Sequence, residues 1–588
     1  MRRPPPWIVA GLCYLGLGAA LWWHGWGSTW LGVGYGDPSQ EVWYFAWMNH
    51  ALAHGLDPFV SHAMFAPQGL NMMLNTSILL PAFVLSPVTA LFGPLVTFDV
   101  AVVLAPTISA LAGFVAFRRY APYGPAAFLG GLFYGFSPFL LHDLSAGHLH
   151  ITTMPFPPLI LLVLNDIAVR RKGSAVRGGV LLGLLVAAQF LTSLEVLATT
   201  VVLSVAGLAL LALRHRHEVV PRLRRVAAAL AVAAGVSLVL LAYPLWVLVA
   251  GPRRYHGSVF PDTQGLVAVL RAVVWPVQGL SHLPQDSNVY IGIPLIALLA
   301  IGCWRCRSGA LRFAGAMALV SLVLSLGRSI HLTVTVGTHI PLPGAVLAKL
   351  PELNNILPIR YSAFVAFFAA MGLAVAVDRI RAGELTLTRR SASDEPHADG
   401  PPAPASTDAR RRSAIAVGIG VLAIASPVLG APVPFAVAHD PMPAVYRSVA
   451  LSHLPSGSTV LTYPVPNGFF ADELLWQAEA GITYNQVAGY GFIPGPGPHP
   501  LGSLPTNLPV TNALGLAQFG LLPPTPPPGE VAAMRAELRA WGVTDIVLRP
   551  VGNQMGRLVA LVTEVARRPP KRIAGAWVWL DVRSSELR

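Results

Sequence analysis

The chain has 588 residues, of which 54% are hydrophobic and only 11% charged. Soluble domains carry about 25% charged residues, so this composition excludes an ordinary soluble enzyme and indicates a polytopic membrane protein. The formal net charge of +13 does not imply nucleic acid, because the basic residues fall in short loops between apolar runs, at 118–119, 170–172, 214–225, 305–312, 379–390 and 410–412, which is the positive-inside pattern.

The first apolar run, Trp7–Trp26, follows Met1-Arg2-Arg3 and lacks a convincing small-residue cleavage site. It reads as a retained anchor with its N-terminus in the cytoplasm. Residues 27–95 then lie outside. Within them, "GDPSQEVWYFAWMNHALAHGLDPF" (36–59) opens like a helix: Asp37 at the N-cap, Pro38 at N1 and Gln40 at N3. Its Trp43, Tyr44 and Trp47 suit a membrane interface. The run 78–92 contains Pro81 and Pro87. If it crossed, every later basic loop would fall outside, so it is read as non-spanning.

A crossing helix needs about 20 residues, and the remaining runs give about eleven spans. They fall near 7–26, 96–117, 125–142, 153–169, 177–193, 195–213, 225–249, 289–304, 310–327, 358–379 and 413–431. A tight turn at Thr192–Glu195 joins two of them. The loop 380–412, with "SASDEPHADGPPAPASTDARRR", is expected to be a disordered cytoplasmic linker. Of the three cysteines, Cys303 and Cys306 form one CxxC, too little for a zinc site without a second pair.

After about residue 432 the pattern changes. "STVLTYPVP", "VTDIVLRP" and "AGAWVWLDV" read as strands. "PGEVAAMRAELRAWG" reads as an amphipathic helix with Val531, Met534, Leu538 and Trp541 on one face, closed by Gly542. The expected organisation is a mainly α transmembrane domain (1–431) followed by a small extracytoplasmic α/β domain (432–588).

The stretch 36–59, the run "APQGLNMMLNTSILLPAFVLSPVTALFGP" (66–94) and the span closing on "FRRY" (117–120) resemble the start of the GT-C superfamily of membrane glycosyltransferases. The bacterial protein-mannosyltransferase-like and YfhO-type members are the most similar in layout. The resemblance is strongest over residues 1–170. It implies transfer of a sugar, with inversion, from a polyprenyl-phosphate carrier to an extracytoplasmic glycan, lipid or protein acceptor. It also implies a plasma-membrane location, and the Ala, Gly, Arg and Pro bias suggests a GC-rich bacterial genome with a decaprenyl or undecaprenyl carrier.

That chemistry needs a carboxylate beside the attacking hydroxyl and cations near the leaving phosphate. The position matching the family's first-loop acid is Asp37, with Glu41 as its i, i+4 neighbour. Two such carboxylates could also share a divalent cation, magnesium or manganese; the resemblance leaves the metal open. Asp143, His148 and His150 in "FLLHDLSAGHLHIT" are expected on the same side, in contact with substrate. Arg360, and less pointedly Arg253 and Arg254, are the cations offered to phosphate. For all three the bland alternative is contact with lipid headgroups. Glu195 is read as a turn residue at the external mouth, and Trp476, Tyr484 and Tyr490 as core aromatics or sugar-stacking rings. Two other functions compete: a transporter or lipid-linked-sugar flippase, and a non-catalytic envelope assembly protein. Few midplane charges and no inverted repeat speak against the first.

Overall fold

The computed structural model describes residues 4–26, 30–31, 36–75, 77–255, 257, 259, 290–331, 337–350, 353–385, 405–429, 435, 437–438, 442–582 and 587. The chain is mostly helical, and among the described residues seven helical stretches are long and apolar enough to cross a membrane. They are Pro94–Phe117, Gly124–Ser145, Leu149–Ala168, Ala175–Thr192, Leu194–Arg214, Arg216–Ala250 and Pro358–Arg381. Pro6–Leu21, Ile293–Arg305 and Gly309–Ser325 are shorter apolar helices. The chain is a membrane protein.

Helix α1 (Pro6–Leu21) packs on the span α5 (Pro94–Phe117). Between them in sequence come α2 (Asp37–His54), α3 (Leu79–Val84) and α4 (Ser86–Phe92). Neither α3 nor α4 approaches the length needed to cross, as the prolines of this stretch implied. Span α5 lies against α6 (Gly124–Gly135) with almost no gap. A Cβ added at Gly135 would come 2.4 Å from the Pro106 carbonyl, and one at Gly131 2.6 Å from that of Ala110. This is the small-residue contact that lets membrane helices approach closely.

The chain continues through α7 (Pro138–Ser145), α8 (Leu149–Thr152) and α9 (Phe156–Ala168). Next come α10 (Ala175–Thr192) and α11 (Leu194–Arg214), separated by Ser193 alone, whose hydroxyl caps the Val196 amide. That is the tight turn expected from the sequence. The long α12 (Arg216–Ala250) leaves Leu238 and Val239 exposed, as suits a lipid-facing surface. It is followed by α13 (Ile293–Arg305), α14 (Gly309–Ser325), α15 (Ser362–Arg381) and α16 (Ala405–Leu429). Helix α16 begins inside the stretch expected to be a linker; residues 386–404 of that stretch lie outside the described residues.

Near the C-terminus a five-stranded sheet forms. Its strands are β1 (Thr459–Tyr463), β2 (Asn485–Gln486), β3 (Asp545–Leu548), β4 (Lys571–Ile573) and β5 (Ala576–Trp579), in the order β4-β5-β3-β1-β2. Strand β1 runs parallel to β2 and β3; β5 is antiparallel to β3 and β4. The expected amphipathic helix is Glu530–Ala540, burying Met534 and Leu538, and Gly542 beyond it has a left-handed φ of 66°. Helix α17 (Asp472–Glu479) docks on α2.

That docking corrects one expectation. Trp43, Tyr44 and Trp47 are not interfacial: α2 is buried without a break from Pro38 to Met48. The Trp43 indole donates to Gln477 of α17 at 2.7 Å. An apolar helix face next to a membrane has two ways to leave water, and here a second protein layer covers it.

Candidate functional site

Asp37 is the first residue of α2, and the residue preceding the helix, Gly36, supplies the carbonyl that starts it. The expected side-chain cap is absent. The Asp37 carboxylate is directed elsewhere: Tyr490 donates its phenol to Oδ1 at 3.0 Å, and His148 Nε2 lies 3.3 Å from Oδ2. Gln40, expected to complete a capping box, donates to the Tyr490 carbonyl at 2.6 Å. The helix N-terminus still favours a negative charge there.

His148 sits in the short break between α7 and α8. Its Nδ1 is 2.9 Å from Asp143 Oδ1. The same Asp143 oxygen accepts from the Arg360 guanidinium, on a 3-10 turn (Pro358–Tyr361) that leads into α15. Arg360 Nε lies 3.6 Å from Glu195 in the first turn of α11. The structure thus joins Tyr490, Asp37, His148, Asp143, Arg360 and Glu195 into one chain of contacts. Arg360 is buried, so it does not snorkel to headgroups, and two carboxylates already claim it.

The two acids of α2 diverge. Glu41 is buried and faces His150, with Oε1 3.0 Å from Nδ1. Burial, reinforced by the negative charge of Asp37, pushes its carboxyl well above the usual carboxylate range. Its Oε2 has no hydrogen-bond partner among the described residues, a position that suits a neutral acid. Burial opposes ionisation of Asp37 too, but the hydrogen bond and charge of His148 and the phenol of Tyr490 outweigh it, holding that carboxyl below its usual value. For His148, burial is overcome by its bonds to Asp143 and Asp37, and its pKa rises to about 10. The Asp37 side chain is 28% exposed and that of Asp143 only 1%. Asp37 is therefore the ionised carboxylate that a substrate can reach.

Arg253 and Arg254 stand differently. They follow α12, where Arg254 donates to the Val249 carbonyl and Arg253 adopts a left-handed φ of 57°. The ion pairs of Asp37, Glu41 and Asp143 are made without them. Trp476 and Tyr484 are buried core residues. Tyr490, whose ring alone attracted notice in the sequence, belongs to the site through its hydroxyl, and nothing local in the sequence links it to a carboxylate 453 residues away. Glu195 belongs to the site as the partner of Arg360, a role its place in a turn did not disclose.

No group of three His, Cys, Asp or Glu side chains among the described residues is arranged to hold a metal ion. Asp37 and Glu41 turn toward different histidines, His148 and His150.

An apolar cavity of about 370 Å³ lies between α9, α11, α14 and α15, lined by Leu161, Leu203, Phe313, Met317, Phe364 and Phe368. Helix α11 carries Glu195 in its first turn, and Arg360 immediately precedes α15. The same pair of helices therefore serves both the polar chain and the cavity.

No protein-family model matches the chain, and no curated protein is significantly similar to it. Solved structures are. The mycobacterial arabinofuranosyltransferase AftD matches with a TM-score of 0.54 at 15% identity, over 98% of this chain and 40% of that one. A mutant form of the same enzyme matches with a TM-score of 0.51 at 17% identity, over 93% and 37%. ArnT from Cupriavidus metallidurans bound to undecaprenyl phosphate is more distant, with a TM-score of 0.43 at 13% identity over 99% and 98%. This chain spans about 40% of the length of AftD, and at these identities the likeness is one of fold. The fold that the chain shares with AftD is the GT-C fold.

Proposed function

We propose that the chain is a membrane glycosyltransferase that moves a sugar from a polyprenyl-phosphate carrier to a hydroxyl acceptor, with Asp37 as the base. The single observation that carries this reading is the reachable, ionised Asp37 carboxylate with the protonated His148 behind it. In the reaction the acceptor oxygen bonds to the anomeric carbon as the carbon–oxygen bond to phosphate breaks. The acceptor proton passes to Asp37, and the electron pair of the broken bond leaves with the polyprenyl phosphate.

Each remaining part has a role under this reading. His148 keeps Asp37 ionised and aimed. Asp143 and Arg360 hold His148 through a buried ion pair. Arg360 is the cation of the cluster that a leaving phosphate would meet, in exchange for one of its two carboxylates. The cavity between α9, α11, α14 and α15 is apolar and takes the isoprenoid tail. Glu41, buried against His150, supports that imidazole and leaves the role of base to Asp37. The chemistry takes place on the extracytoplasmic side, where the positive-inside rule puts α2.

The test uses purified full-length protein and a panel of polyprenyl-phosphate sugars. Transfer to a hydroxyl acceptor is expected from the wild type, and Asp37→Asn should lower it by about 10²–10⁴-fold. Asn keeps the size of Asp and still accepts from Tyr490, so a folded variant that retains full transfer overturns the assignment.

A further inference from the structure

The contact between Tyr490 and Asp37 resembles a reaction geometry. A hydroxyl that is to be deprotonated by Asp37 must donate to its carboxylate, and the Tyr490 phenol does so at 3.0 Å. The ring is set in a narrow slot. A Cβ added to Gly36 would come 3.0 Å from Tyr490 Cδ1, and one added to Gly468 would come 3.1 Å from Cε2. The slot is therefore walled by backbone, and the walls are tied together by the Gly36 amide donating to the Gly468 carbonyl at 2.9 Å.

The main chain that carries the ring is anchored on both sides of it. Asn75 brackets Phe492, accepting from its amide at 2.6 Å and donating to its carbonyl at 3.2 Å. Gln40 donates to the Tyr490 carbonyl at 2.6 Å, and Gly489 and Gly491 on either side pack against Met64 and Asn75, so the ring leaves the slot by turning about its own side-chain bonds.

We infer that Tyr490 occupies the acceptor subsite, and that the acceptor is a hydroxyl carried on a sugar ring. This rests on the glycosyl-transfer reading and adds to it the class of acceptor. A flat ring with a hydroxyl at its edge fits between two glycines. A pyranose or furanose presents its hydroxyl in the same way. A seryl or threonyl hydroxyl instead brings main chain on both sides of its Cα, which a slot with backbone walls does not admit. The acceptor enters as Tyr490 leaves, and donates to Asp37 in its place. In the absence of an acceptor, the phenol occupies Oδ1 of that carboxylate in place of a water, which slows hydrolysis of the donor.

The experiment compares wild type with Tyr490→Phe in full-length protein, using alkyl glycosides and a Ser/Thr peptide as acceptors. Wild type is expected to use the glycosides and not the peptide. In Tyr490→Phe the ring stays but its bond to Asp37 is lost. Acceptor KM should fall about tenfold, the worth of one hydrogen bond to a charged group, and donor hydrolysis without acceptor should rise. A purely structural tyrosine would lower kcat and stability and leave acceptor KM in place.

Unchanged acceptor KM in Tyr490→Phe, or equal use of the peptide, overturns the acceptor assignment while Asp37-dependent transfer stands. If wild type transfers to no hydroxyl at all, the transferase reading and this inference fall together.

Discussion

At the residue scale, the two acids of α2 are one turn apart and chemically opposite. Glu41 is buried beside an ionised neighbour, which raises its carboxyl pKa; Asp37 is reachable and is held ionised by His148. The prediction is a contrast. Glu41→Gln, which removes a carboxyl whose ionisation burial already disfavours, should keep transfer within a few-fold of wild type, whereas Asp37→Asn loses about 10²-fold or more. Parallel transfer assays decide it, and equal losses would mean that Glu41 carries charge in the working enzyme.

His148 makes a second residue-scale prediction. Its pKa is raised from 6.5 to about 10 in the folded protein, so the stability it contributes is complete below pH 6.5 and lost as pH rises through 10. Thermal unfolding of wild type and His148→Gln should differ most near pH 6, with the gap closing towards pH 10. A gap that widens with pH would show that the imidazole is neutral in the folded state.

At the element scale, much was legible in the sequence. Length and apolar content gave α5, α10, α11 and α12, and the basic loops between them followed from charge. The strands around Val460, Ile546 and Val578 and the helix bearing Met534 and Leu538 showed in their periodicity. The cap was misread for a physical reason. Asp-Pro-Ser-Gln has the composition of a helix start, but composition cannot tell whether a carboxylate turns back to its own amides or outward to a histidine on another helix.

The α5–α6 contact was also invisible, because glycine carries no apolar signal. It predicts that Gly135→Val, which places Cβ against the Pro106 carbonyl, forces the helices apart. The variant should show a lower unfolding temperature in detergent and poor yield of monodisperse protein, whereas the same change at Gly235, where nothing lies within 4 Å of an added Cβ, should be tolerated.

At the scale of the whole molecule, the site is complete only because the C-terminal sheet region lies over α2. No local pattern could place Tyr490 beside Asp37, since such contacts depend on how two separately patterned parts of the chain meet. Gln477 is the clearest hinge of that meeting. It accepts from the Trp43 indole at 2.7 Å and donates to the carbonyls of Ala63 at 2.8 Å and Tyr484 at 2.7 Å. One fully buried amide thus ties α2, the loop after it and the strand-bearing region. Gln477→Leu removes an acceptor and a donor while leaving the Trp43 N–H buried and unpaired. Such an orphaned group costs about 1–3 kcal/mol. The variant should melt at lower temperature, and the sheet region should become more open to protease. Transfer should fall alongside, because Tyr490 and the slot wall at Gly468 are carried by the same region. If Gln477→Leu keeps the wild-type melting temperature but loses transfer, the docking is weakly held and the site senses it directly; if it loses neither, the amide is a bystander and the two regions are held by apolar burial alone.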